Sequence, residues 1–383
     1  MPAERTDVLI IGGGLAGTAT AYYLAREGVE ITLVERYDLN TQASGSNAGS
    51  LHAQIPHESF LIEGEGWARA FAPVIPIMLE SIKLWEKLAD GLQADLEVAV
   101  TGGLLLAETQ GQMRDVRRKA LIERAQGLEI EILSGADVRR IAPYASERMI
   151  GGAFCPNEGK ANPLRATPAF ATAARRHGAR IISNCAVLGL AAENRGYRAE
   201  TAAGAIQAER VVNAAGAEAG RIAALLGVEL AVAGHPIQVS VTEPAEPFVD
   251  HLVYFAGEKL TLKQAKNGSF LIGGGWPARW SARGERPAID RDSLMANLRV
   301  ACQVVPRLAS VRLLRSWPAI VNGTADWKPI LGEVPGLPGF FINMFPWMGF
   351  TAGPISALVT AELVMGRKPA LDLRQFSAFR HVA

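Results

Sequence analysis

The chain has 383 residues, enough for two to three domains at about 150 residues each. Apolar residues make up 49% and charged residues 20%, which supplies a large core and excludes a disordered chain. Lysine and arginine (39) nearly balance aspartate and glutamate (38), and the net charge of +1 gives no support to nucleic-acid binding through a basic surface.

Asp7-Val-Leu-Ile-Ile11 is a short apolar run ending in glycines, which predicts a buried strand of a parallel sheet. Residues 15–27 predict a helix stopped by Gly28, and Ile31–Glu35 the next strand, so the chain opens on a βαβ unit. The stretch from Val8 to Ala25 is neither signal peptide nor anchor: Asp7 precedes it and Gly12, Gly13, Gly14 and Gly17 interrupt it. No other window offers the roughly 18 apolar residues of a membrane span, so a soluble protein is expected.

Further along, residues 65–92 predict a helical region, with Trp67, Phe71, Ile75, Met78, Ile82 and Trp85 at helical spacing. A strand over 98–107 and a charged surface helix over 110–126 follow, then a helix over 164–177 and a strand over 179–183. Residues 198–212 alternate as a hairpin that runs into Val211-Val-Asn-Ala-Ala-Gly216. Strands at 238–242, 259–264 and 270–274 are separated by turns, and a last helix covers 353–365, between Gly349 and Gly366. One block is thus α/β with a parallel sheet; the other has antiparallel strands and its own helices.

Gly12-Gly-Gly-Leu-Ala-Gly17 fits GxGxxG with a strand before it, a helix after it and an acid, Glu35, closing the second strand near the roughly 20-residue spacing of the dinucleotide fingerprint. Gly12 permits the tight turn, Gly14 lets the backbone approach a pyrophosphate, and Gly17 allows close helix–strand packing. The helix N-terminus at Leu15 and Ala16 offers free N–H groups and a positive dipole end to a diphosphate. Glu35 can accept from ribose hydroxyls. The fingerprint alone leaves NAD and FAD open. The segment Ala43-Ser-Gly-Ser-Asn-Ala-Gly-Ser-Leu-His-Ala-Gln54 puts small residues and backbone amides just beyond the second strand, where they can lie flat against a large planar group.

Along its whole length the chain resembles the FAD-dependent D-amino acid oxidase family, which includes glycine oxidase, sarcosine oxidase and D-amino acid dehydrogenase. Asp7–Glu35, with Arg36 following, matches the N-terminal fingerprint. Ser44-Gly45-Ser46-Asn47-Ala48-Gly49, continuing through Ser50 and Leu51, matches the flavin loop, and Gly159–Pro163 the segment leading back into the cofactor domain. Val187 sits where a strand of the family holds the adenine, Val211–Gly216, with Ala215, matches a second cofactor-side turn, and Phe345-Pro-Trp-Met-Gly-Phe-Thr351 opens the last helix. In relatives that helix aims its N-terminus, here Met348, Gly349, Phe350 and Thr351, at the flavin pyrimidine ring, where it stabilises the charge of the reduced form.

The resemblance implies non-covalent FAD and oxidation of the C–N bond of an amino acid or secondary amine, by hydride transfer to flavin N5, to an imine. Relatives hold the substrate carboxylate with an arginine after a tryptophan; here Trp317 is followed by Val321 in the arginine slot. That departure turns the expectation toward imino-acid, hydroxyproline, sarcosine or opine substrates, as in the flavin subunits of multi-component dehydrogenases. The competing readings are a flavin-bearing subunit that relays electrons to a partner, an oxygen-using glycine or D-amino acid oxidase, and an NAD-dependent dehydrogenase.

Among side chains, His52 directly follows the flavin loop and is a catalytic candidate, against a plain role as a hydrogen-bonded histidine at the domain seam. Lys328 is a second, and Lys263 and Arg279 are further candidates for an anion- or oxygen-facing cation, against solvated surface charges. Trp276 and Trp347 are candidate substrate walls, against core packing. Cys155, Cys185 and Cys302 are read as small buried hydrophobes in a reducing compartment, with neither metal site nor disulfide framework. The expectation is a cytoplasmic two-domain flavoprotein, free or attached to a membrane surface through a partner. The FAD domain is expected over 1–55, 142–232 and 318–383, the substrate domain over 56–141 and 233–317, and the active site at their seam.

Overall fold

A computed structural model describes residues 4–284 and 286–377; the expected domain ends at 1–3 and 378–383 lie outside the described residues. The first apolar run forms the strand Glu4–Ile11, in which Val8, Leu9 and Ile10 are all buried, as a parallel strand covered on both faces requires. It pairs in parallel with Ile31–Val34 on one side and Gly204–Asn213 on the other. The register sets Ile11 level with both Val34 and Asn213, so three segments leave the sheet at one edge. The helix Leu15–Arg26 leaves from that edge and packs on the helices Pro163–Arg176 and Gly349–Val364.

This sheet has eight strands. Its main path runs Ile330–Glu333, Phe340–Met344, Gly204–Asn213, Glu4–Ile11, Ile31–Val34 and Arg180–Ile182, with Gly196–Thr201 and Val187–Glu193 as an antiparallel branch. A second eight-stranded sheet runs Leu313–Gly323, Ala233–Pro244, Ser269–Gly273, Thr261–Gln264, Leu252–Phe255, Gly103–Ala107, Gly151–Cys155 and Glu131–Ser134. Its pairs are antiparallel except Leu252–Phe255 with Gly103–Ala107.

Several expectations change. The helical region 65–92 is divided into His57–Phe71, Ile75–Trp85 and Leu88–Leu92, with a 3-10 turn at Ala72–Val74. Pro73 and Pro76 lack the N–H that a continuing helix needs. The strand over 98–107 shortens to Gly103–Ala107, and the last helix begins at Gly349, four residues early. The charged helix, Gln110–Arg124, is only half a surface helix: Met113, Val116, Lys119, Ala120, Ile122 and Glu123 are buried. The domain boundaries shift too. Gly151–Cys155, expected in the FAD domain, pairs with Gly103–Ala107 in the second sheet. Leu313–Gly323 crosses the boundary at 318 because it pairs along its length with Ala233–Pro244. No helix among the described residues is long and apolar enough to cross a membrane.

Candidate active site

Two adjoining cavities, of about 230 and about 680 Å3, open where the two sheets face each other. They share Asn47, Val321, Trp347 and Phe350 in their walls.

The smaller one begins at the edge where the parallel strands end. Gly12 N–H is bonded to Val34 O (2.9 Å) and Ala214 N–H to Ile11 O (2.9 Å), which draws three segments into one turn. Gly12 holds φ at 114°, and a Cβ there would lie 2.5 Å from Ala214 O; one on Gly17 would lie 1.9 Å from Gly12 O. Opposite, Gly216 has nothing within 4 Å of a would-be Cβ, so the wall is bare backbone facing open space. The helix after Gly14 has no side chain of its own capping it; Ser44 Oγ, from the loop across the cavity, accepts Leu15 N–H at 2.9 Å. Glu35 spans the turn, taking Gly13 N–H on Oε2 (2.6 Å) and Tyr37 N–H on Oε1 (2.9 Å).

The loop beyond is knotted by Asn47, whose amide donates to Ala43 O and Ser44 O and accepts from Gly49 N–H. It leads into the larger cavity, where the helix Gly349–Val364 begins at Met348 with no side-chain cap. Thr351 Oγ1 donates to Ser50 O (3.1 Å) and accepts His52 N–H (2.9 Å). Lys263 Nζ, fully buried, donates to Ser50 Oγ at 2.7 Å; burial, then the charge of Lys160, lowers its pKa to about 7. His52 lines the cavity and its Nδ1 meets Tyr254 Oη at 2.8 Å. Burial, then Lys263, lowers the imidazole pKa to about 3, so it is neutral at physiological pH. At the mouth, Lys259 pairs with Glu58 (3.1 Å).

A family model described as FAD dependent oxidoreductase matches residues 7–363. The chain belongs to this family. It is 29% identical over 378 residues to the beta chain of the sarcosine oxidase of Rhizobium meliloti (strain 1021), covering 96% of this chain and 86% of that one. It is 28% identical to one of the subunits of the opine oxidase of Rhizobium meliloti, with 98% of each chain covered. The crystal structure of glycine oxidase from Geobacillus kaustophilus superposes with a TM-score of 0.87 at 27% identity over the whole of both chains. The protein is an FAD-dependent oxidoreductase.

The two joined cavities fit that cofactor: a backbone-lined cradle at one end, a helix N-terminus at each, and a wider chamber beyond the loop. Of the residues expected around FAD, Gly12, Gly14, Leu15, Ala16, Glu35, Arg36, Ser44, Val187, Ala215, Gly216 and Gly349 line the smaller cavity. Ala48, Gly49, Ser50, Met348 and Thr351 line the larger, and Asn47 and Phe350 both. Gly17, Gly45, Ser46 and Leu51 stand behind these walls; Ser46 O, for one, accepts from Trp317 Nε1.

His52 and Trp347 face the larger cavity as expected, and Val321 shares its wall. Four other candidates lie outside the lining, among them Lys263, which reaches Ser50 Oγ from behind the wall. Trp276 Nε1 is taken by Lys259 O, and the ring packs on the core of the second sheet. Arg279 is exposed on a two-residue strand, with Nε bonded to Ile289 O. Lys328 sits in a turn where its backbone meets Asp326 and Thr324. Sequence reasoning misses Tyr254, Gln54, Lys119 and Glu158. Lys119 and Glu123 form an ion pair buried almost completely, and Glu158 is wholly buried beside it. Position in sequence marks two of them, Gln54 at the end of the Ala43–Gln54 segment and Glu158 directly before the Gly159–Pro163 segment.

Proposed function

We propose that this flavoenzyme oxidises the C–N bond of an amino acid or secondary amine, of the imino-acid, hydroxyproline, sarcosine or opine type, to the imine. The observation that carries this reading is the direct opening of the backbone-lined cradle into a large chamber walled by a neutral histidine, His52, and by aromatic rings. Bound FAD supplies the two-electron oxidant. The cradle residues named above would hold its dinucleotide part, and the amides at Met348–Thr351 would face its ring system as a positive dipole end. Trp347 stacks on Trp327 (centroids 4.7 Å apart) and lies against His235 (4.7 Å), so one side of the chamber is a rigid aromatic wall. Val321 beside it adds an apolar side chain to this wall, which suits an amine gripped through its nitrogen and carbon skeleton. Lys263 is the buried cation that would face the cofactor loop and favour an anion there.

Relatives named as subunits of oxidases support a further part of the proposal, that the chain works with other subunits. Anaerobic addition of proline-, sarcosine- and opine-type amines to the yellow holoprotein is expected to bleach its flavin absorbance with at least one of them. A holoprotein that stays yellow with every amine, alone and in its native complex, overturns the proposal.

A further inference from the structure

His52 is fixed on every side but one. Its N–H is held by Thr351 Oγ1, and the next two residues are clamped by a single buried carboxylate. Glu158 Oε1 accepts from Ala53 N–H (2.6 Å) and Gln54 N–H (2.8 Å), and Oε2 accepts from the Gln54 side-chain amide (2.9 Å). The ring is pinned through Nδ1 to Tyr254 Oη at 2.8 Å. Nε2 has no hydrogen-bond partner among the described residues, is absent from their fully buried unpartnered atoms, and belongs to a side chain lining the larger cavity. It is the nitrogen left open to whatever occupies that chamber.

Counting donors and acceptors gives the direction of the chain. An ionised carboxylate has about four acceptor sites. Three on Glu158 are filled by N–H groups, which with the charge of Lys119 favour the anion against burial, and after burial the Glu158 charge is what raises the Tyr254 phenol pKa. A phenol has one proton, and a carboxylate takes it in preference to a neutral imidazole. With that proton directed to Glu158, Tyr254 Oη accepts from His52, and the imidazole proton resides on Nδ1.

We propose that Glu158 and Tyr254 are positioning residues that hold His52 in its Nδ1–H tautomer, so that Nε2 presents a lone pair to the chamber and accepts the N–H of the bound amine. This rests on the amine-oxidation reading and deepens it: the site requires a hydrogen on the reacting nitrogen. Primary and secondary amines carry one in their neutral form; tertiary amines do not, and would leave Nε2 unpaired in a dry wall.

The test uses the holoprotein labelled with 15N-histidine, with His52→Gln to assign the signal. The expected spectrum shows His52 Nε2 unprotonated near neutral pH. Tyr254→Phe keeps the ring and removes only the hydroxyl; it is expected to erase this tautomer preference and to slow the limiting rate of anaerobic flavin reduction about 10–100-fold, with little change in amine affinity. The wild type is expected to prefer a secondary amine over its N-methylated counterpart by about 100-fold or more, and His52→Phe to lose that preference. A protonated Nε2, or a Tyr254→Phe protein that reduces its flavin at the wild-type rate, overturns the proposal. If no amine bleaches the flavin, the functional reading falls, while the nitrogen spectrum still decides the tautomer.

Discussion

At the scale of single residues, the cradle depends on positions where one methyl group is too much. A Cβ on Gly17 would lie 1.9 Å from the carbonyl oxygen of Gly12, which is backbone and has nowhere to go because Gly12 is itself bonded into the sheet edge. Gly17→Ala should therefore cost about 3 kcal/mol or more in overpacking and displacement of the turn. If that loss falls on the bound form, FAD affinity drops roughly a hundredfold. The ratio of flavin to protein absorbance after gel filtration checks this; a variant as yellow as the wild type contradicts it. The turn is readable in the sequence because its chemistry is local: Gly12, Gly14, Gly17 and Glu35 meet through a fixed strand–turn–helix path. Lys119, Glu123 and Glu158 are not readable, since a charged residue enters a core only when distant segments bring it a partner. Lys119 finds Glu123 one helical turn away, but its burial comes from Gln54 and the strands beneath. Arg279 and Lys328 err in the other direction: both are offered as cations for the site, and neither lines the two cavities, Arg279 being exposed with Nε on Ile289 O.

At the scale of elements, the last helix joins the two halves of the site through Thr351. Its hydroxyl bonds Ser50 O and His52 N–H, and its carbonyl oxygen accepts from Ser81 Oγ (2.6 Å) and Trp85 Nε1 (2.9 Å). One residue thus links the flavin loop, the helix Ile75–Trp85 and the helix Gly349–Val364. Thr351→Val keeps the shape and removes the hydroxyl, leaving a buried N–H and a buried carbonyl short of a partner, at a cost of about 1–3 kcal/mol. Thr351→Ser keeps both bonds and should lie close to the wild type. Urea unfolding of the two variants checks this, with a lower midpoint and an unchanged slope expected only for the valine variant. Helices with a clear period, such as Pro163–Arg176, stand within a residue of where apolar spacing puts them. The region 65–92 shows the limit of that signal: an apolar stripe persists across Pro73 and Pro76, so periodicity reads as continuous what the prolines divide.

At the scale of the whole molecule, the two-sheet plan is legible in the switch from a parallel βαβ opening to alternating strands, but the seam is not. A long strand such as Leu313–Gly323 carries no mark in its own residues of which sheet its far end joins; only its partner Ala233–Pro244, some eighty positions earlier, decides that. Closing that seam buries three basic groups, and their burial has a consequence for the entire fold. His52 and His57 have pKa values of about 3 against 6.5 for the free side chain, both first through burial, and Lys263 about 7 against 10.5. In each case the folded value lies below the unfolded one, so over the interval between them the unfolded chain binds the extra proton. The contribution of these three groups to stability therefore rises with pH across both intervals: from about 3 to 6.5 for the histidines, and from about 7 to 10.5 for the lysine. Below about 7 the burial penalty of charged Lys263 is fully present, and above 10.5 it is gone. Melting temperatures of the holoprotein, taken as differences from variants lacking each group, should show both limbs. His57→Leu flattens the acid limb, because one of its two titrating groups is lost. Lys263→Met removes the alkaline limb, so that the stability of the wild type relative to this variant climbs between pH 7 and 10. Parallel curves for wild type and Lys263→Met over that range would mean that the lysine keeps its ordinary proton affinity in the fold, and that the seam is wetter than its packing indicates.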